Sequence, residues 1–288
     1  MRVAPLIAAL VIAAISPPSA AAGPDENARP RGPWPAPAVR SGTRLPPPRT
    51  LALSIEGAGA YVPEVAGVSP AKSGVGRGRL IWNLALWERV GLFGRHDLGA
   101  MWWRDVTLLV GGHELGLRYV ASDHVTLEAA YLGHRTERQW VDGHGTAIGG
   151  VRDHGVELSG WAAFEPHRRL RIGLHLIGRW FRVYRDDQGV AGAGLRLSLL
   201  PVDRHAIVLE LTALRVVRRD PRAGVERATV NLLGDVLWRS ELAGSFGVHL
   251  GARVTTHLLV GEVPMLELKR SMIDEPMALG IAGVSFDI

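Results

Sequence analysis

The residues of this 288-residue chain best suited to chemistry fall into three groups. The first is His257, followed by Glu262, Glu267 and Ser271. A hydroxyl nucleophile needs a base in contact and a carboxylate to orient that base, so these residue types permit hydrolytic chemistry near one another. No compact His-x-Ser pattern accompanies them. The second group is Asp142 and His144 in a glycine-rich stretch, with Asp153 and His154 just beyond. Two carboxylates and two imidazoles can bind a divalent metal, but the spacing matches no closed motif, and a solvated loop explains it equally. The third group consists of charges at two-residue spacing among apolar neighbours: Glu56, Glu128, Glu157, Arg171, His175, Arg179, Arg196, Glu210, Asp235, His249 and Arg253.

That spacing places the third group on one face of β-strands, because successive strand side chains point to opposite sides. The other face is apolar. Leu51, Leu53 and Ile55 flank Ser54 and Glu56; Leu170, Ile172, Leu174 and Leu176 flank Arg171 and His175; Ile207, Leu209 and Leu211 flank Glu210. The same pattern continues to Ala282, Val284 and Phe286 at the end of the chain. The seven prolines beyond residue 50 all fall in predicted turns, loops or strand ends, where no ladder hydrogen bond is lost.

The segments before Thr50 differ in kind. Arg2, an apolar core over Pro5–Ile15 and small residues at Ser19–Ala22 read as a signal peptide over 1–22, too short to span a bilayer. Residues 23–49 are rich in proline and arginine and poor in apolar surface, the composition of an extended periplasmic linker. The linker's five arginines could also meet an anionic partner. The sequence pI of 10.2 comes from this tail (Arg29, Arg31, Arg40, Arg44 and Arg49 against Asp25 and Glu26), while the body is nearly neutral. Nucleic-acid binding, which wants a basic face on the folded part, is therefore not expected. With no cysteine in the chain, disulfides, thiolate metal sites and a lipidated-cysteine anchor are excluded on these residues. No cofactor is expected.

Two features separate a membrane barrel from a soluble periplasmic sandwich, the remaining alternative. Connections alternate between tight turns (121–123, 165–167, 201–204, 239–241) and mostly longer loops (62–78, 135–152, 185–191, 219–225, 258–273). Aromatics on the apolar face lie at strand ends: Tyr119, Phe164, Trp238 and Phe286 at the short-turn end, Tyr61, Tyr131 and Trp180 at the other, as two membrane interfaces would select.

With these features the chain resembles the bacterial outer-membrane β-barrel superfamily over residues 50–288, in architecture and without a family-specific motif. The resemblance implies a closed antiparallel up-and-down transmembrane barrel, exported to the outer membrane, monomeric and surrounded by lipid and lipopolysaccharide. It also implies recognition by the barrel-assembly machinery through the last strand, Gly283–Ile288, which departs from the usual pattern by ending in Ile288 with Phe286 two positions earlier. Both termini on the periplasmic side require an even strand number; twelve is favoured and ten is the alternative, because 79–120 changes parity near Gly111-Gly112. A turn centred on Pro166 predicts Glu157 opposite His175 and Asp153 opposite Arg179, and the turn at Pro201–His205 predicts Arg196 opposite Glu210. The expected role is passive: a narrow pore, or a structural or surface protein with a charged, plugged lumen. The alternative is a lipid-modifying enzyme resembling lipid A deacylases, with His257, Glu262 and Ser271 at the rim.

Overall fold

Alternating apolar and polar side chains, with β-branched and aromatic residues on the apolar positions, favour strands that cover one face and wet the other. The computed structural model describes residues 49–62, 73–103, 106–140, 151–183, 186–220, 225–243, 246–256, 259–260, 263–264 and 277–287. The strands are β1 Leu51–Val62, β2 Ser73–Ala85, β3 Val90–Trp103, β4 Val106–Ser122, β5 Val125–Trp140, β6 Val151–His167 and β7 Leu170–Val183. They continue as β8 Asp186–Val202, β9 His205–Asp220, β10 Val225–Ala243, β11 Phe246–Thr255 and, after a two-residue ladder of β12 (Leu259–Val260) with β13 (Val263–Pro264), end in β14 Met277–Asp287.

Each barrel strand pairs antiparallel with its neighbours in chain order, and β14 closes on β1 from Ala52↔Asp287 to Gly59↔Gly280. The closed barrel therefore has twelve strands, with no free edge. The soluble sandwich is overturned: the apolar faces look outward from a single closed sheet, and Leu176, Leu211, Val230, Val236 and Leu250 are more than half exposed. The expected signal peptide and linker lie outside the described residues.

Several boundaries differ from expectation. The register runs without a shift through Gly111↔Arg135 and Gly112↔His134, so 106–122 is one strand. Strand β10 continues through Arg239–Glu241 to Ala243, and β8 takes in Asp186–Ala191. Strands β1, β2, β5, β6 and β9 also run into or up to the expected loops. Beyond the apolar band both faces of a strand are polar, so period-two hydrophobicity vanishes while the hydrogen-bond ladder goes on. Two connections at the long-loop end, residues 104–105 and 184–185, are in consequence as short as the turns opposite.

Prolines explain the largest register difference. Pro166 and Pro201 lie inside the ends of β6 and β8, where the ladder shifts between Phe164 and His167 and between Leu199 and Val202. A residue with no N–H sits in a bulge without losing a bond. The β6–β7 turn is thus at 168–169, not at Pro166, which moves every partner by four: Glu157 faces Arg179, His175 faces Trp161, and Asp153 faces Val183. The Arg196↔Glu210 pairing is as expected.

Candidate functional site

Inside the barrel the polar positions of all strands meet at a common waist. Arg79 on β2 reaches Asp97 on β3, with Nε 2.5 Å from Oδ1, and Arg77 stands 3.8 Å from the same oxygen. Arg95 donates to both Glu114 oxygens at 3.0 and 2.9 Å and lies 3.7 Å from Glu128. Glu128 is held by Arg118 at 2.6 Å and accepts from Ser159 at 3.2 Å. Arg179 bonds Glu157. Arg196 donates twice to one oxygen of Glu210, at 2.9 and 2.7 Å, and Arg253 grips Asp235 with two parallel bonds of 2.6 Å. His249 lies 3.4 Å from Glu56. Near the short-turn end, Arg171 bonds Glu165.

These contacts come from register. Arg79↔Asp97, Arg95↔Glu114, Arg118↔Glu128, Glu157↔Arg179, Arg196↔Glu210, Glu210↔Asp235 and Asp235↔Arg253 are all direct cross-strand partners. Cross-strand neighbours on one face of a sheet touch, and curvature turns that face into an enclosure. Arg118, Glu128, Glu157 and Arg179 are buried. A buried charge without a partner is strongly unfavourable, so the pairs are mutually dependent.

Aromatic rings fill the remaining space. Trp161 stacks on His175 with centroids 3.7 Å apart, and the Arg196 guanidinium lies 4.6 Å over the indole. The Arg95 and Arg118 guanidiniums lie 5.2 and 5.3 Å from the Phe93 centroid. Phe93 itself lies over Gly116, where an added Cβ would come within 2.6 Å of the ring. Towards the long-loop end the β7–β10 wall becomes apolar, with Ile177, Val190, Leu214, Val216 and Leu233 in one cluster. A cavity of about 50 Å³ persists between this wall, the Trp161–His175 stack and Arg79, Arg95, Arg196 and Arg253. At about 10–15 Å³ per water it has room for only a few waters.

Of the sequence candidates, Glu157, Arg171, His175, Arg179, Arg196, Glu210, Asp235, His249 and Arg253 all lie on the inner wall. Glu56 and Glu128, also expected to face inward, are buried there too, while the waist residues absent from the candidates come mostly from one stretch. Arg79, Arg95, Asp97, Glu114 and Arg118 belong to the stretch whose strand boundaries were ambiguous. The readable signal was their own spacing, Arg95-x-Asp97 and Glu114-x-x-x-Arg118, which keeps one parity. Phe164, Trp180, Trp238 and Tyr131 are exposed on the outer wall, and Tyr119 and Phe286 are half-buried. Phe246, register partner of Phe286, joins the short-turn set. His257, Glu262 and Ser271, and likewise Asp142 and His144, fall outside the described residues. Asp153 is paired in β6, and next to it His154 faces outward with its Nδ1 bonded to the Tyr131 hydroxyl. Among the described residues no group of three His, Cys, Asp or Glu side chains is placed to hold a metal.

No family model matches the chain, and no curated protein matches it either. Solved structures do. The β domain of the Bordetella autotransporter Brka superposes with a TM-score of 0.50 at 13% identity, over 82% of this chain and 98% of that one. The NanC porin gives 0.48 at 10% identity over 81% and 98%, and the translocator domain of autotransporter NalP from Neisseria meningitidis gives 0.47 at 14% identity over 82% and 87%. At such identity the likeness is one of fold. What this chain shares with the Brka β domain is a closed antiparallel barrel, here of twelve strands with an apolar outer face and a charged inner one.

Proposed function

We propose that the protein is a passive integral component of a bacterial outer membrane, a barrel whose waist admits only water and small ions. The observation that carries this is the lumen: arginines paired with carboxylates around the barrel wall, stacked rings, and a cavity of about 50 Å³ where Arg79, Arg95, Arg196 and Arg253 converge. A twelve-strand barrel is wide enough to hold water when its inner side chains are short; here long guanidiniums reach inward from β2, β3, β4, β7, β8 and β11 instead.

Membrane placement follows from the outer wall. Exposed Leu, Val and Ile positions form its middle, and a hydrocarbon solvent is the environment in which that surface is stable. Embedded barrels run at different mobility on gels before and after boiling, which tests the placement directly. Planar-bilayer recording tests the waist. The wild type is expected to show no steps, or only very small ones, and removing the partly accessible pair with Arg196→Ala/Glu210→Ala to raise conductance. Wide, porin-sized steps from the wild type would overturn the reading.

Nothing in the described residues favours the hydrolytic alternative. Ser240 and His205 meet, Oγ to Nδ1 at 2.8 Å. Among the described contacts no carboxylate orients the imidazole, which stacks on Trp238.

A further inference from the structure

Charge borders the waist cavity unequally. Four guanidiniums line it, from Arg79, Arg95, Arg196 and Arg253, against the two carboxylates of Glu210 and Asp235. Each of the four arginines has a carboxylate partner. Asp97 and Glu114, the partners of Arg79 and Arg95, are nevertheless not among the described lining residues. The space therefore meets more positive charge than negative. Enclosed charge is costly unless it is balanced close by.

Two donors on the lining residues remain once the protein contacts are made. Trp161 is 6% exposed, and its Nε1–H meets no acceptor among the described residues. An indole nitrogen only donates, so this position calls for an acceptor. His175, stacked on the indole with centroids 3.7 Å apart, holds the ring in place. Arg196 spends Nε and Nη2 on Glu210 while its guanidinium lies 4.6 Å over the same indole, which leaves Nη1 as a second donor. Ile177, Leu214 and Leu233 close the cavity with apolar surface, which competes for neither donor.

We propose that this cavity is a binding site for one monovalent anion of chloride size, held by the Trp161 indole N–H and the Arg196 guanidinium, with Arg79, Arg95 and Arg253 supplying the surrounding positive charge. The proposal rests on the closed waist inferred above, and makes the ion part of the plug. Cations are repelled by the four guanidiniums. Water satisfies the indole but leaves the charge unbalanced. At about 50 Å³ the space excludes a sugar acid or a fatty acid.

The test unfolds the full-length protein, purified in detergent, with urea in sodium gluconate and in sodium chloride at equal ionic strength, reading the folded fraction by heat-shifted mobility. Gluconate is too large for the cavity and serves as the reference anion. A ligand that binds only the folded form raises the folding constant, by about tenfold at a concentration about ten times its Kd. The wild type is expected to show that gain in chloride and in bromide. Crystals grown with sodium bromide are expected to place an anomalous peak within hydrogen-bonding distance of Trp161 Nε1. Trp161→Phe keeps the stacked ring and removes the N–H, so it should lose most of the halide response. Equal stability in chloride and gluconate, an undiminished response in Trp161→Phe, or a cavity that holds only water in bromide-grown crystals overturns the proposal. If Trp161→Phe does not fold, the anomalous map of the wild type decides. Porin-sized steps in bilayer recording defeat the closed waist and the plug with it; a closed waist without a halide response defeats only the ion site.

Discussion

The inner and outer walls of this barrel use the same cation in opposite ways. Inside, Arg118, Arg179 and Arg253 each meet a carboxylate from the facing strand, and the protein supplies both halves of every pair. Outside, Arg215 has the apolar register partners Ala191 and Val230, and Arg182 has His154 and Asp187, on a wall whose described exposed carboxylates are all at the other end. An enclosed charge draws its partner chiefly from the chain itself, whereas one at a membrane boundary can draw on the medium. The inner charges therefore bear strongly on stability, and the outer ones much less.

That contrast breaks most visibly at the buried pairs. Arg118→Leu leaves the almost wholly enclosed Glu128 with only Ser159 and the more distant Arg95, and is expected to destabilise the barrel by about 3–5 kcal/mol. Replacing both partners, Arg118→Leu/Glu128→Leu, should recover most of the loss; urea unfolding in vesicles, followed by heat-shifted mobility, measures both. A double variant as unstable as the single would mean that the pair does more than neutralise itself. Next in size is Gly116→Val, which drives a side chain into Phe93 and the Ala129 carbonyl, each 2.6 Å from the new Cβ. The same unfolding assay should show a loss of about 1–3 kcal/mol. Arg196→Ala/Glu210→Ala removes a pair that is partly accessible, so stability should change by less than about 1 kcal/mol while bilayer conductance rises. Smallest is Arg182→Gln, which should leave the unfolding midpoint where it is. A large stability loss there would erase the distinction between the two walls.

Much of the fold was legible because burial and alternation coincide in the apolar band. Leu170 to Leu176 against Arg171 and His175 sufficed to place β7, and nine such runs with even-number closure pointed to twelve strands. The extensions of β2, β5 and β8 beyond that band were not legible, because polar residues on both faces carry no period. The waist was legible only in part. Glu210 and Arg196 could be paired because their turn could be located, whereas the bulge at Pro166 displaced Glu157 from His175 to Arg179. A bulge depends on which backbone groups find partners across the ladder, which no single strand encodes.

The sequence alone determined which face of each strand is greasy and which is charged, because side-chain direction in a strand is fixed by the backbone pleat. It also located the reversals near Asp123 and Asp203, though not the one after His167. Only the closed structure decided that the charged faces meet one another, because curvature brings Arg79 of β2, Arg95 of β3, Arg196 of β8 and Arg253 of β11 to the lining of one cavity.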